Sequence, residues 1–260
     1  MTQNEYLVQI LAKYAPRSLL AHDASIRSLK SHLITWASSC YVDIIDSGSR
    51  AKGTAISLSS DVDYLVSLTS NCNEGSGGLQ SCYESLYDKL VRVYSGVRKQ
   101  NVSLRIKIND LEVDITPARK HSGNSNYHNL FVSKNNSWKQ TNIQKHIKDV
   151  SASGRTNEIR LFKIWRELNA LNMPSIYIEY LLMDKILFGK SKSLDDLAVN
   201  FHHVLMELSK SENNPIFKTV TDPSNTNNVL SDVISNGDKN RIIAAAKKAM
   251  SMRSWDQIIW

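Results

Sequence analysis

The stretch GSRAKGTAISLSSDVDYLV constrains this chain more than any other. Gly48-Ser49 is followed by eleven residues and then by Asp61-Val62-Asp63, which runs into the apolar pair Leu65-Val66. Side chains on a strand alternate between its two faces, so Asp61 and Asp63 share one face. About fifty residues on, LRIKINDLEVDITPA carries another acidic strand signal with Asp110, Glu112 and Asp114. Glu112 and Asp114 have the same strand parity, and Asp110 falls in the intervening turn. A carboxylate from that neighbouring strand completes a three-sided oxygen cage with Asp61 and Asp63. Mg²⁺, or Mn²⁺ in its place, prefers such ligands, and Mg²⁺ commonly bridges to substrate phosphates. Two such ions about 3.5–4 Å apart can activate an attacking hydroxyl and neutralise a leaving pyrophosphate. The Gly48-Ser49 turn lets backbone N–H groups and a hydroxyl approach a triphosphate closely. Together these parts describe nucleotidyl transfer.

At 260 residues the chain suits one large domain or two small lobes sharing a cleft. Longer apolar stretches are missing: nothing approaches the roughly 20 residues that span a bilayer, and MTQNEYLVQI has no basic-then-apolar leader. No membrane association is expected. Cys40, Cys72 and Cys82 are odd in number and match no zinc spacing, which predicts reduced thiols in a cytoplasmic protein. The net charge of +7 makes RNA or another polyanion electrostatically welcome, although triphosphate binding accounts for part of it. The oligomeric state is left open.

Apolar residues at helical spacing predict helices over 4–15 and 24–39. YVDII is a strand delivering the chain to Gly48, VDYLVSL is the next, and residues 71–81 form a Gly/Ser/Asn-rich loop. A helix over 81–95 precedes a hairpin of strands near 101–107 and 111–116, turned by Asn109-Asp110. Residues 119–140 are polar and read as a hinge or loop. From residue 142 onward the pattern is helical, over 142–152, 156–171, 175–188, 193–210 and 238–251. Pro174 stands at a helix start and Gly189 just past a helix end. The expected fold is α/β (α+β): a lobe over 1–140 with a small mixed sheet and the N-terminal helices, then a helical lobe over 141–260, with the active site in the cleft between them.

These residues resemble the polymerase-beta-type nucleotidyltransferase superfamily. Within it, the chain is most similar to the branch holding oligoadenylate synthetases, cyclic GMP–AMP synthase and bacterial CD-NTases. Thr54 and Ser60 extend the likeness to GS…GTxI…SDxD. RLFKIWRELNALNMPSIYIEYLL resembles that branch's Lys-x-x-Trp helix, followed by a serine that opens the next helix. DPSNTNNVLSD resembles a C-terminal Asp-Pro…Asn-Asn-Val segment of oligoadenylate synthetases and archaeal-type CCA-adding enzymes. The resemblance singles out Asp114, because Ile115-Thr116-Pro117 continues a V-D-I-x-P pattern. It implies Asp61, Asp63 and Asp114 as metal ligands and catalytic acids, with Gly48, Ser49, Lys163 and Ser175 against the triphosphate. The likeness breaks at Ile176, where animal members carry a base-stacking aromatic; Tyr177 follows one position later. Trp138 is a candidate for base stacking, whereas Trp165, Tyr177 and Tyr180 read as core.

The function this implies is a metal-dependent enzyme joining NTPs into a linear or cyclic oligonucleotide second messenger, with a role in antiphage signalling. The same acids serve nucleotide addition to RNA, including CCA-type addition to tRNA 3′ ends, or to a protein. A degenerate nucleotide- or RNA-binding module is disfavoured because all three acids are present.

Overall fold

A computed structural model of the chain describes residues 1–59, 61–123 and 125–260; Ser60 of the motif lies outside them. Helix α1 (Gln3–Lys13) opens behind a capping box in which Thr2 and Glu5 satisfy each other's backbone N–H groups. Helix α2 (Asp23–Ala37) turns Ile26, Leu29 and Leu33 inward at helical spacing. Strand β1 (Tyr41–Ser47) leads into the short helical turn α3 (Gly48–Ala51), and β2 (Val62–Leu68) follows. Then come α4 (Gly78–Val91), β3 (Arg98–Lys99), β4 (Leu104–Ile108), β5 (Leu111–Lys120), β6 (His128–Val132) and β7 (Ser137–Thr141). The rest is α5 (Ile143–Ser151), α6 (Thr156–Leu168), α7 (Ser175–Leu181), α8 (Leu197–Ser209), the small ribbon β8 (Thr221–Asp222) with β9 (Asn225–Val229), and α9 (Asn236–Met250).

The chain divides into two compact units, each assembled from separated segments. One comprises Ser18–Ala51 and Asp61–Ile147. Its mixed sheet runs β1-β2-β5-β4-β3, with β6 joined to the far end of β5 and β7 outside it. Strands β2 and β5 are parallel, while β1 with β2 and β4 with β5 are antiparallel. One sheet face is covered by α2 and α4, where Leu29, Leu33, Tyr83 and Leu86 pack on Val62, Tyr64, Ile106, Val113 and Ile115. The intervening positions of these strands face the other way.

The second unit comprises Met1–Arg17, Lys52–Ser60 and Lys148–Trp260. Helix α6 is buried nearly all round from Glu158 to Arg166, as befits a central helix. The expected division at 140/141 put the N-terminal helices with the sheet. Helix α1 instead packs on α6 and α8, and its Leu7, Ile10 and Leu11 share a core with Phe162, Trp165 and Phe201.

Two further expectations need correction. The segment read as a loop over 119–140 contains the β6–β7 hairpin. Its buried side is short, only His128, Leu130 and Phe131 in β6, and edge strand β7 leaves Trp138 63% exposed, so the composition looks like a loop. In place of three reduced thiols, Cys40 and Cys72 form a disulfide, and Cys82 is free and buried. The antiparallel register that sets Tyr41 opposite Leu68 brings the flanking cysteines to a Cα separation of 5.5 Å, well suited to a bridge. Among the described residues, no helix is long and apolar enough to cross a membrane.

Candidate active site

On the open face of the sheet, strand pairing assembles the acids. Asp63 of β2 lies directly beside Asp114 of β5 in the parallel register, and Val62 beside them is paired with Val113 and buried. Asp61 precedes β2 by one residue and reaches the same cluster through a shared partner. Arg105 of β4 stands opposite Asp114 in the antiparallel register. Its Nη2 donates to Asp61 Oδ2 at 2.6 Å and to Asp114 Oδ2 at 2.7 Å, and its Nε donates to Asp114 Oδ1 at 2.8 Å. The remaining nitrogen, Nη1, donates to Glu112 Oε2 at 2.7 Å. Glu112 also accepts from Arg98 at 2.7 Å, so it serves the basic side chains of this face.

The electrostatics follow from that crowding. Burial pushes the Asp61 carboxyl above its usual range; Arg105 pulls it down, and the charges of Asp114 and Glu112 push it up again. Hydrogen bonding to Asp114 raises the Arg105 guanidinium further above its ordinary value, so it stays a cation. Among the described residues, no three of His, Cys, Asp and Glu stand together as a group that could hold a metal ion with side chains as they are. The donor set nonetheless fits Mg²⁺ or Mn²⁺: it is all carboxylate oxygen, and a cation, the guanidinium, already sits on it.

Gly48 makes the close approach between the turn and the acids possible. Its φ is +67°, and a Cβ built there falls 1.8 Å from Asp63 Oδ2. Only glycine tolerates both conditions. Ser49 follows it in α3 and is partly exposed.

Lys163 and Ser175 belong to the other unit and take different partners. Lys163 is only 2% exposed, and its Nζ donates to Glu179 Oε1 and to Thr54 Oγ1, both at 2.9 Å. Lys52 Nζ donates to Glu179 Oε2 at 2.8 Å, and the Thr54 hydroxyl donates to Oε1 at 3.1 Å. Burial alone would push the Glu179 carboxyl up; the ammonium groups of Lys52 and Lys163 outweigh it and hold it down at about 2. Ser175 opens α7 and its hydroxyl accepts from Arg166 at 3.3 Å. Trp165, Tyr177 and Tyr180 are core, as expected. Asp222 of the DPSNTNNV segment organises its own turn by accepting from Ser224 and Asn228.

The sequence reading missed Arg105 and Glu179. The first was recoverable: a two-residue turn at Asn109-Asp110 sets Ile108 opposite Leu111 and hence Arg105 opposite Asp114. No local signal marks Glu179, whose partners lie 16, 125 and 127 residues away.

Residues 1–153 match the Second Messenger Oligonucleotide or Dinucleotide Synthetase domain. The cyclic AMP-AMP-AMP synthase of Escherichia coli (strain MS 115-1) is 26% identical over 167 residues, which cover 59% of this chain and 50% of that protein. The chain thus spans about half the length of the curated relative it matches. The structure of E. coli MS115-1 CdnC with ATP superposes at a TM-score of 0.71 and 22% identity, over 95% of this chain and 90% of that one. The Bradyrhizobium diazoefficiens CD-NTase CdnG in complex with GTP gives 0.71 at 11% identity, over 95% and 91%. At these identities the structural likeness speaks to the fold.

Proposed function

The chain belongs to the Second Messenger Oligonucleotide or Dinucleotide Synthetase family, and from that premise we propose that it joins nucleoside triphosphates into a short linear or cyclic oligonucleotide, releasing pyrophosphate at each bond. The observation that carries this reading is the pairing of Asp63 with Asp114 beside Asp61 on the open face of the sheet. Asp61, Asp63 and Asp114 are the residues that would hold Mg²⁺ or Mn²⁺, which when bound would acidify an acceptor hydroxyl and neutralise a departing pyrophosphate. The chain's own groups do the positioning. Gly48 brings the turn against Asp63, Ser49 offers a hydroxyl and an N–H to the phosphates, and Asp114 orients the acceptor hydroxyl. Lys163 and Ser175 are proposed phosphate contacts by resemblance; for Lys163 that role requires release from Glu179 and Thr54. In a cell, the product would serve as an antiviral signal, in keeping with the resemblance.

The test is product analysis. Purified protein is incubated with each labelled NTP, ATP first because the curated relative is named for AMP units, with Mg²⁺ or Mn²⁺ and with or without total tRNA. Small oligonucleotides from NTPs alone, or after addition of an activating partner, are the expected result by mass. Label appearing only on tRNA under every condition would replace this reading with RNA modification.

Gly48→Ala is expected to slow pyrophosphate release by about 10²-fold, because the added methyl must push Asp63 aside by more than an ångström. Circular dichroism should remain native. A folded variant with wild-type turnover would remove Gly48 and Asp63 from the site.

A further inference from the structure

We propose that Arg105 is a displaceable counter-cation of this site: its guanidinium holds Asp61 and Asp114 against divalent ions until it turns away from them. The inference rests on the reading of these acids as metal ligands given above. Three observations carry it. First, the guanidinium engages both oxygens of Asp114 and one of Asp61, the same groups an entering cation needs. A divalent ion and a guanidinium on the same oxygens repel each other, so one must leave. Second, Glu112 supplies an alternative anchor. It holds Nη1 at 2.7 Å on the same sheet face, so Arg105 can let go of the two aspartates without losing every partner. Third, there is room to move: a cavity of about 400 Å³ is lined by Arg98, Arg105, Lys107 and Glu112. Turned into that space, the guanidinium presents a planar fork of donors suited to phosphate oxygens. Nucleotide arrival and divalent-ion entry are thereby coupled through one side chain.

The experiment measures Mn²⁺ binding to the full chain without nucleotide, by electron paramagnetic resonance of the free ion. Arg105→Gln is expected to bind Mn²⁺ at least about tenfold more tightly than wild type, because the competing charge is gone. Arg105→Lys keeps a charge but loses the fork and is expected to fall between them. It also decides the matter if Arg105→Gln does not fold. A non-hydrolysable NTP analogue should tighten Mn²⁺ binding more in wild type than in either variant. Equal nucleotide-free affinities in wild type and the folded variants, abolished in each by Asp61→Asn with Asp63→Asn, would overturn this inference alone. Mn²⁺ binding that survives loss of both aspartates would overturn the ligand reading as well.

Discussion

The double variant Asp61→Asn, Asp63→Asn is expected to release no pyrophosphate above background from any NTP, a loss of at least about 10³-fold. The substitution keeps side-chain shape and removes two negative charges from the open sheet face. Asp61 is already the strained member, since burial and its acidic neighbours disfavour its charge. Arg105 retains Asp114 and Glu112 as partners, and the covered face with Val62, Tyr64 and Val113 is untouched. The fold should therefore survive, with an unchanged circular dichroism spectrum. Undiminished turnover in the folded double variant would sink the assignment. Asp114→Asn is less diagnostic, because it also dismantles the two-pronged bond to Arg105.

What the sequence disclosed and what it withheld separate along one line. Features that depend on spacing within a strand or across a tight turn were legible. The strand VDYLVSL has the bounds expected, and the β2–β5 pairing sets Asp63 beside Asp114, while Asp61, one residue before β2, shares Arg105 with Asp114. Arg105 belongs to the same readable class, since the Asn109-Asp110 turn fixes its place opposite Asp114, but an arginine alternating with apolar residues in LRIKI has the pattern of any solvated strand face. Features that depend on distant register were not legible. The Cys40–Cys72 bond needs the β1–β2 pairing and the chain path beyond Leu68. The placement of α1 needs the core of a helix about 150 residues downstream, as the bond from Arg160 to the Leu11 carbonyl illustrates. A lysine on an apolar helix reads as a surface or ligand residue until its buried carboxylate is found.

That carboxylate carries the second large effect. Glu179→Ala is expected to destabilise the protein by about 3–5 kcal/mol, because it strands the ammonium groups of Lys52 and Lys163 without their counter-charge. In a chain of this size that lowers the melting temperature by roughly 10 °C or more. The effect also has a pH signature. The folded carboxyl is held down at about 2, below its unfolded value, so its contribution is complete above about pH 4.5 and is lost as pH falls toward 2. The span corresponds to about 3 kcal/mol. The difference in melting temperature between wild type and Glu179→Ala should therefore shrink on acidification through that window. Replacing all three charges, Lys52→Met and Lys163→Met with Glu179→Leu, should recover part of the loss, since an apolar cluster needs no compensation. Lys163→Ala then separates the two roles of the lysine. A lower melting temperature with an unchanged KM for NTP makes it a buried structural partner of Glu179. A raised KM with kcat held makes it a phosphate contact as well. A variant lacking Glu179 that melts within a degree of wild type at pH 7 would show that the buried ion pairs contribute nothing net to the fold.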